Sequence, residues 1–380
     1  MKEIIFSKQK IVTGRGSLAY LSCFSEKKVM LVTGGQSMFR TGVIERAERI
    51  LKEHSCQVSI YSGVSKNPTT TQILQGLQAM RSFGPEVVVA IGGGSPIDAA
   101  KVMALFYEHP ELDFDHVFGN PDLPQKLNTI LVAVPSTSGT ASEVTQVGVV
   151  TIAETREKKA VKTEAIRPDI AILDADLPDT LPAHIVAETG MDALTHALEA
   201  YCNRNGNDFT DSMAKEAIEG LLEYLPVSFR DGDRRSREKV HNYQCMAGMA
   251  FSNSGLGIVH GVSHAFGGIY DMAHGLANAI ILPYSMEYNG KDPFVREKYE
   301  RLSKAIGKDV IEAVRTLQQE LGIPSCFAKA GIGEEDFRKQ YETLCRFSMG
   351  GSTAVNPIRV SEADMRKFVN CVYDGTKVDF

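Results

Sequence analysis

The sequence is notable first for what is missing: it has no tryptophan, no CxxC pair and no apolar run long enough to cross a membrane. Its seven cysteines are scattered singly, which argues against a disulfide framework and a thiolate-rich structural metal site. A net charge of -6 argues against a nucleic-acid or membrane-surface partner. Because the N-terminus also lacks the apolar core of a signal peptide, we expect a cytoplasmic protein with no membrane partner.

The length and the apolar periodicity predict two domains. At 380 residues the chain exceeds the size of most single cores. The first part alternates short apolar runs with helical spacing, as βαβ units do, and the Pro-containing segment Leu177–Pro182 ends that pattern. Only helical spacing follows it. We therefore predict an α/β nucleotide-binding domain over residues 1–182 and an all-helical domain over residues 183–380, with the functional site in the cleft between them.

The predicted elements follow from runs of apolar residues and their turn signals. Strands are predicted at 28–33, 58–61, 86–91 and 129–134, with helices at 37–54, 71–83 and 99–106. In the second domain, helices are predicted at 184–201, 209–224, 238–251, 261–268, 276–288, 293–306, 310–321, 334–347 and 362–372.

Five residues of the second domain suggest a metal site. Asp192 and His196 are four residues apart, His260 and His264 repeat that spacing, and His274 follows. On a helix, a four-residue spacing puts both side chains on one face. The flanking residues are apolar, so these polar groups are expected to be buried and to need partners. A single such histidine is more often a core residue bonded to a backbone carbonyl, but a group of five favours a shared cation.

The chemistry of this group indicates which cation it suits. Carboxylate and imidazole ligands without cysteine suit Fe²⁺ or Zn²⁺, and a site of this composition is typical of catalysis rather than of structure.

A glycine-rich turn in the first domain suggests an anion site. Gly92, Gly93 and Gly94 end a buried strand, and the segment continues through Ser95 to Asp98 at the start of a helix. The glycines would let the backbone approach a ligand, and the helix N-terminus would favour a phosphate. A plain tight turn is the alternative, because three glycines alone are weak evidence.

A hydroxyl-rich segment follows the next strand. Pro135–Thr145 contains Ser136, Thr137 and Thr140, whose hydroxyl groups suit ribose, phosphate or amide recognition. Lys159 could add positive charge there. A solvated loop and an ordinary surface lysine are the alternatives.

Taken together, these motifs resemble the iron-containing (group III) alcohol dehydrogenase family over essentially the whole chain. Residues 92–98 resemble the family's pyrophosphate loop and residues 135–145 its second cofactor loop. Residues 190–199, 257–264 and 274–279 resemble its two signature regions. The resemblance implies that the metal ligands are Asp192, His196, His260 and His274.

The resemblance also implies roles for other residues. His264 corresponds to a family histidine beside substrate and nicotinamide that is not a ligand, and it could relay a proton. Asn356-Pro357 resembles a late loop near the pocket. The residues expected to contact the cofactor are Gly34, Ser37, Asn67, Gly92, Gly93, Gly94, Ser95, Asp98, Ser136, Thr137, Thr140 and Lys159.

The end of the strand at 28–33 departs from the best-known family pattern. Many NAD-using relatives place an Asp there to bind the ribose hydroxyls, whereas this chain has Gly34. Residues 35–37 and Arg40 could instead bind a 2′-phosphate. We therefore expect NADP(H) to be used at least as well as NAD(H), and a Gly34→Asp change to shift preference towards NAD.

The expected function is hydride transfer between a nicotinamide cofactor and a small primary alcohol or aldehyde, aided by Fe²⁺ or Zn²⁺. A homodimer or larger homo-oligomer is expected. One alternative is a lyase or synthase similar to dehydroquinate synthase, whose relatives use a Glu and two His. The spacing of Asp192 and His196 and the additional His274 favour the dehydrogenase. A metal- or nucleotide-binding module without turnover is the other alternative.

Overall fold

The computed structural model describes residues 3–6, 8 and 10–380. It forms two compact units, Met1–Thr180 and Leu181–Phe380. The boundary expected from sequence, after residue 182, lies two residues beyond this division.

A six-stranded, wholly parallel sheet is the centre of the first unit, in the order β1-β8-β5-β4-β2-β3. A separate antiparallel hairpin consists of β6 and β7. The strands are β1 (Lys10–Thr13), β2 (Lys28–Gly34), β3 (Gln57–Val64), β4 (Val87–Gly92), β5 (Ile130–Pro135), β6 (Val147–Thr151), β7 (Lys158–Lys162) and β8 (Ile170–Leu173).

Helices cover both faces of this sheet. They are α1 (Ser37–Arg40), α2 (Val43–Glu53), α3 (Thr70–Phe83), α4 (Gly94–Glu108) and α5 (Phe114–Val117), with short 3₁₀ helices at Ser17–Cys23, Ser142–Val144, Glu164–Ile166 and Pro178–Thr180. The side chains of β2 alternate between the two faces, as a fully buried parallel strand requires. Val29 and Leu31 pack in the core on the α2 side, and Met30 and Val32 pack with α3 and α4.

The first unit differs from the sequence prediction in two respects. The helix predicted over 37–54 is two helices, α1 and α2, because Gly42 between them has a left-handed φ of 71°. Strands β1, β6, β7 and β8 and the four-residue helix α5 were not predicted. Each has only four or five residues, too few for a reliable periodicity.

The second unit contains only helices among its described elements, as predicted. They are α6 (Ala183–Cys202), α7 (Asp208–Arg230), α8 (Arg234–Ser254), α9 (Ile258–Tyr270), α10 (His274–Asn289), α11 (Pro293–Ile306), α12 (Val310–Glu320), α13 (Glu334–Ser348) and α14 (Glu362–Asp374), with a 3₁₀ helix at Gly351–Val355. Within residues 3–6, 8 and 10–380, none of the helices has the length and apolarity that crossing a membrane requires.

Helix α6 is the central helix of this unit. Every residue from Gly190 to Cys202 is buried, so the helix is covered on all sides. Its polar residues in that stretch are consequently surrounded by protein. A cation shared between buried polar groups offsets the free-energy cost of burying them.

Candidate metal centre and cofactor loops

The predicted metal ligands converge in the helical unit. Ligand atoms of Asp192, His260 and His274 all lie within 4.8 Å of one another. The Nε2 atom of His274 is 3.7 Å from Asp192 Oδ1, and the Nε2 atom of His196 is 4.0 Å from the same oxygen. The His196 ring also stacks on His260, with ring centroids 4.6 Å apart. Three of the four residues therefore form the tighter group, with His196 beside them.

Three helices place these side chains. Asp192 and His196 lie one turn apart on α6, His260 lies in the first turn of α9, and His274 is the first residue of α10. Gly275 allows α10 to start against α6, because a Cβ at this position would lie 2.3 Å from the Glu188 carbonyl oxygen. A larger residue would push His274 away from Asp192.

The start of α9 is held by side chains from elsewhere in the unit. Its N-cap residue, Gly257, has no side chain to accept the free N–H groups of the first turn. Asn356 Oδ1 accepts from the Ile258 N–H at 3.1 Å, and Glu199 Oε1 accepts from the Val259 N–H at 2.8 Å. These two bonds fix the turn that carries His260.

Glu199 also contacts the His260 ring directly, with 2.5 Å between Oε2 and Nδ1. When Nδ1–H donates to the carboxylate, the lone pair of Nε2 is left to face a cation. Burial, reinforced by the imidazoles of His196, His274 and His264, lowers the pKa of His260 well below its usual range. The ring is therefore neutral, as a metal ligand must be.

The two carboxyl groups of the site are also perturbed by burial. Burial raises the pKa of Glu199 to about 8 and raises the pKa of Asp192. Donors such as the Val259 N–H oppose this shift, and a neighbouring cation would oppose it further.

The donor set fits a divalent cation. Ligand atoms at roughly 2.1 Å from a tetrahedral ion lie roughly 3.4 Å from one another. The 3.7 Å between Asp192 and His274 is close to that value. Three imidazoles and one carboxylate, all on rigid helices, are the composition expected for Fe²⁺ or Zn²⁺.

His264 lies one turn after His260 on α9 and is exposed. Its ring stacks on the His274 ring, with centroids 5.1 Å apart. It is not a member of the group of three converging ligand atoms. Its role as a proton relay remains a prediction.

Sequence reasoning assigned no role to two residues that contact the ligands, Glu199 and Asn278. Glu199 follows His196 by three residues, and Asn278 follows His274 by four. Helical spacing alone put each on the same face as a predicted ligand, and this signal could have identified them.

In the first unit, the glycine-rich turn and the hydroxyl-rich segment lie side by side. The Ser136 N–H donates to the Gly92 carbonyl at 2.8 Å, where β5 and β4 end together. A Cβ on Gly94 would lie 3.0 Å from Thr140 Oγ1, and one on Gly93 would lie 3.5 Å from Thr137 Oγ1. The start of α4, whose N-cap is a glycine, therefore faces several hydroxyl groups.

Two further predicted cofactor residues join this region through their hydrogen bonds. The Asn67 N–H donates to Ser95 Oγ at 3.3 Å, which brings the segment before α3 to the glycine turn. Asp98 accepts from the Ser142 hydroxyl and, at 3.2 Å, from the Val149 N–H. These bonds give Asp98 a structural role in the hydroxyl-rich segment, and direct contact with a cofactor remains a prediction.

Lys101 was not singled out from sequence, although it is the largest polar residue of α4 that is fully buried. Its Nζ atom donates to Ser142 Oγ and Thr145 Oγ1, both at 3.0 Å, and to the Val147 carbonyl at 2.8 Å. Burial lowers its pKa to about 8. The sequence did offer a signal for this residue, because Lys101 is a single lysine among small and apolar residues of a predicted helix.

Lys159 lies on β7, where its Nζ atom is 3.7 Å from Glu157 Oε2 and 5.4 Å from the Phe118 ring centroid. These contacts are those of an ordinary hairpin lysine. Its predicted cofactor contact remains a prediction.

Gly34 has close neighbours in the sheet, while its predicted cofactor contact and the expected use of NADP(H) remain predictions. A Cβ at this position would lie 2.7 Å from the Val64 carbonyl oxygen and 3.3 Å from Pro96 Cγ, at an irregularity in the β2–β3 pairing. The glycine therefore has a packing reason that is independent of the cofactor, and the proposed Gly34→Asp substitution would disturb the sheet. Ser37 and Arg40, both on α1, are exposed.

Comparison with known proteins gives consistent matches for both units. The sequence model of the family described as "Iron-containing alcohol dehydrogenase" matches residues 8–175. The sequence model described as "Fe-containing alcohol dehydrogenase family, C-terminal" matches residues 186–372. An NADPH-dependent butanol dehydrogenase of Clostridium saccharobutylicum is 41% identical, with 97% of this chain and 98% of that protein covered.

Two further relatives extend the comparison. An aldehyde-alcohol dehydrogenase of Streptococcus pneumoniae is 35% identical over 96% of this chain, which spans 45% of that longer protein. The solved structure of an iron-containing alcohol dehydrogenase from Thermococcus thioreducens superposes with a TM-score of 0.92 at 34% identity, covering 98% of this chain and all of that one. The predicted α/β and all-helical architecture is therefore confirmed.

Proposed function

The chain belongs to the iron-containing alcohol dehydrogenase family and is an NAD(P)-dependent oxidoreductase, and from this premise we propose its substrate, cofactor and site residues. It transfers a hydride between a nicotinamide cofactor and a short primary alcohol or the corresponding aldehyde. The observation that carries this proposal is the convergence of three imidazoles and one buried carboxylate on α6, α9 and α10.

Asp192, His196, His260 and His274 would hold a divalent ion, Fe²⁺ or Zn²⁺. Such an ion, when bound, lowers the pKa of an alcohol and polarises a carbonyl group. The other residues of the protein orient these ligands and exclude water from them. Glu199 holds the His260 ring with Nε2 exposed to the site, and the apolar packing of α6 keeps water from Asp192.

His264 is proposed to carry a proton between the substrate oxygen and solvent. It is exposed, and its ring stacks on that of His274, so it can exchange protons with water while lying beside the proposed ligands.

The cofactor is proposed to bind at the glycine turn of the first unit. The first turn of α4 offers backbone N–H groups and the positive end of the helix dipole to the pyrophosphate. Ser136, Thr137 and Thr140, which border this turn, offer hydroxyl groups to the ribose and phosphate oxygens. Asn67 and Ser95 complete that border.

We propose NADP(H) as the preferred cofactor and a short alkyl alcohol as the substrate. The 41% identical relative is an NADPH-dependent butanol dehydrogenase, which supports both choices. Exposed Ser37 and Arg40 on α1 supply donors for a 2′-phosphate. A homo-oligomeric assembly and a cytoplasmic location remain predictions, which light scattering and cell fractionation would test.

The test is an alcohol and aldehyde panel run with both cofactors on metal-depleted protein that has been reloaded with Fe²⁺ or Zn²⁺. Absorbance of the reduced nicotinamide should change only in the reloaded protein, and turnover should be faster with NADP(H) and short primary alcohols. No net oxidation or reduction with any member of the panel would favour the lyase or the binding module instead.

A further inference from the structure

Asn278 is wholly buried on α10, four residues after His274. Its Nδ2 atom lies 2.7 Å from Asp192 Oδ1, 3.2 Å from His260 Nε2 and 3.1 Å from His274 Nε2. These partners are the three residues whose ligand atoms converge. The amide nitrogen therefore contacts the same three ligand atoms that would bind a cation.

The two ends of this amide are unequally satisfied. The nitrogen has two N–H groups for three acceptor atoms, whereas Oδ1 is buried and has no hydrogen-bond partner within residues 3–6, 8 and 10–380. A buried carbonyl without a donor is unfavourable. In this one orientation, the amide therefore leaves the hydrogen-bonding capacity of its oxygen unsatisfied.

Another buried amide in the same unit shows the usual arrangement. The Gln318 Nε2 atom donates to the backbone carbonyls of Ala279, at 3.1 Å, and of Pro324, at 3.3 Å. Such bonds tie elements of the fold together. In the described part of the chain, the side-chain amide of Asn278 instead donates to side chains of the predicted metal centre, so fold stabilisation alone does not explain its contacts.

We propose that Asn278 is a positioning residue of the metal centre and that its amide serves the centre through both ends. The nitrogen end draws Asp192, His260 and His274 together by donating to them. A half-turn of the amide about the Cβ–Cγ bond would place its oxygen towards a bound cation. The N–H groups would be repelled by the cation in that position. The nitrogen and oxygen ends are similar in size, so this turn requires no additional space. This inference rests on the proposed metal site.

The prediction can be tested with Asn278→Asp and Asn278→Leu in the full-length protein. The aspartate keeps the shape and presents oxygen at both ends, whereas leucine fills a similar volume without polar atoms. The measurements are the Zn²⁺ dissociation constant by chelator competition and the visible absorption of the Co²⁺-loaded protein, which reports the number and type of ligands.

We expect Asn278→Leu to bind Zn²⁺ about 10- to 100-fold more weakly, the usual effect of losing a group that orients ligands. Asn278→Asp should bind about 10-fold more tightly or better, because a carboxylate adds charge to the oxygen that faces the cation. Its Co²⁺ spectrum should also differ from that of the wild type. Gln318→Leu, the matched control, should lower the melting temperature without changing the dissociation constant.

Binding by Asn278→Asp that is equal to or weaker than wild-type binding would overturn the proposal. An Asn278→Leu dissociation constant equal to that of the wild type would do the same. If the leucine variant fails to fold, the isosteric aspartate variant alone decides. Failure of the metal site itself has a different signature, because neither the wild type nor any of these variants would then retain Zn²⁺.

Discussion

Replacing Glu199 by Gln tests how the metal centre is prepared by the fold. In the ionised form that a bound cation favours, the Glu199 carboxylate has two acceptor ends: Oε2 faces Nδ1 of His260 at 2.5 Å, and Oε1 accepts the Val259 N–H at 2.8 Å. Glutamine has one acceptor end and one donor end. Either the imidazole or the start of α9 must then meet an NH₂ group.

Both arrangements are unfavourable, for different reasons. If the NH₂ group faces Val259, two buried donors confront each other, which costs about 1–3 kcal/mol in folding free energy. If it faces His260, Nδ1 must become an acceptor, and the ring proton moves to Nε2. That tautomer cannot bind a cation through Nε2. We therefore expect Glu199→Gln to bind Zn²⁺ about 10- to 100-fold more weakly.

Chelator competition on the purified protein measures this effect, and thermal unfolding of the metal-depleted protein measures the loss of stability. Glu287→Gln is the matched control, because Glu287 also accepts a backbone N–H, from Val378 at 3.2 Å, and pairs with Arg315 at 2.7 Å. It should lose stability and keep its Zn²⁺ affinity. A Glu199→Gln protein with the wild-type dissociation constant would refute the reasoning.

Changes at four further side chains have expected outcomes. His260→Ala should lose both metal and turnover, whereas His264→Ala should retain metal, measured by metal analysis, with activity lowered on the order of 10- to 1,000-fold. Ser37→Asp should lower kcat/KM for NADP(H) relative to NAD(H) by about 10-fold or more through repulsion of the 2′-phosphate, while Ser37→Asn should not. The pKa of Lys101 is lowered by burial to about 8 from 10.5, so between these values the unfolded chain holds more protons. The free energy of unfolding should therefore rise with pH across this interval, by up to about 1.4 kcal/mol per unit, and Lys101→Met should remove that contribution in urea titrations. A slope unchanged by Lys101→Met, or a metal-free His264→Ala protein, would contradict these assignments.

The close grouping of the predicted ligand residues could be anticipated in part from sequence because part of its signal is local. Asp192 and His196 need only the helical period to be placed on one face, and the α6 that carries them has the predicted type. The period did not reveal that Asn356 and Glu199 hold the start of α9, because those contacts join residues 98 and 60 positions apart. Such contacts depend on how helices pack, which a single periodicity does not contain.

The short elements were not predicted from sequence for a related reason. Strand β8, with only four residues, pairs with β1 and β5, so its place is set by neighbours that lie far away in sequence. The break at Gly42 could have been anticipated, since glycine favours the left-handed conformation that ends α1. The helical periodicity that continues through α2 obscured it.

Gly34 shows how a residue can carry two kinds of information. Beside a cofactor, the lack of a carboxylate at the end of β2 suggests tolerance of a 2′-phosphate. The contacts show another cause, since no side chain fits between the Val64 carbonyl and Pro96 without displacing backbone. A residue fixed by packing cannot by itself report cofactor preference. We expect that preference to depend instead on exposed side chains that follow β2, such as those of Ser37 and Arg40.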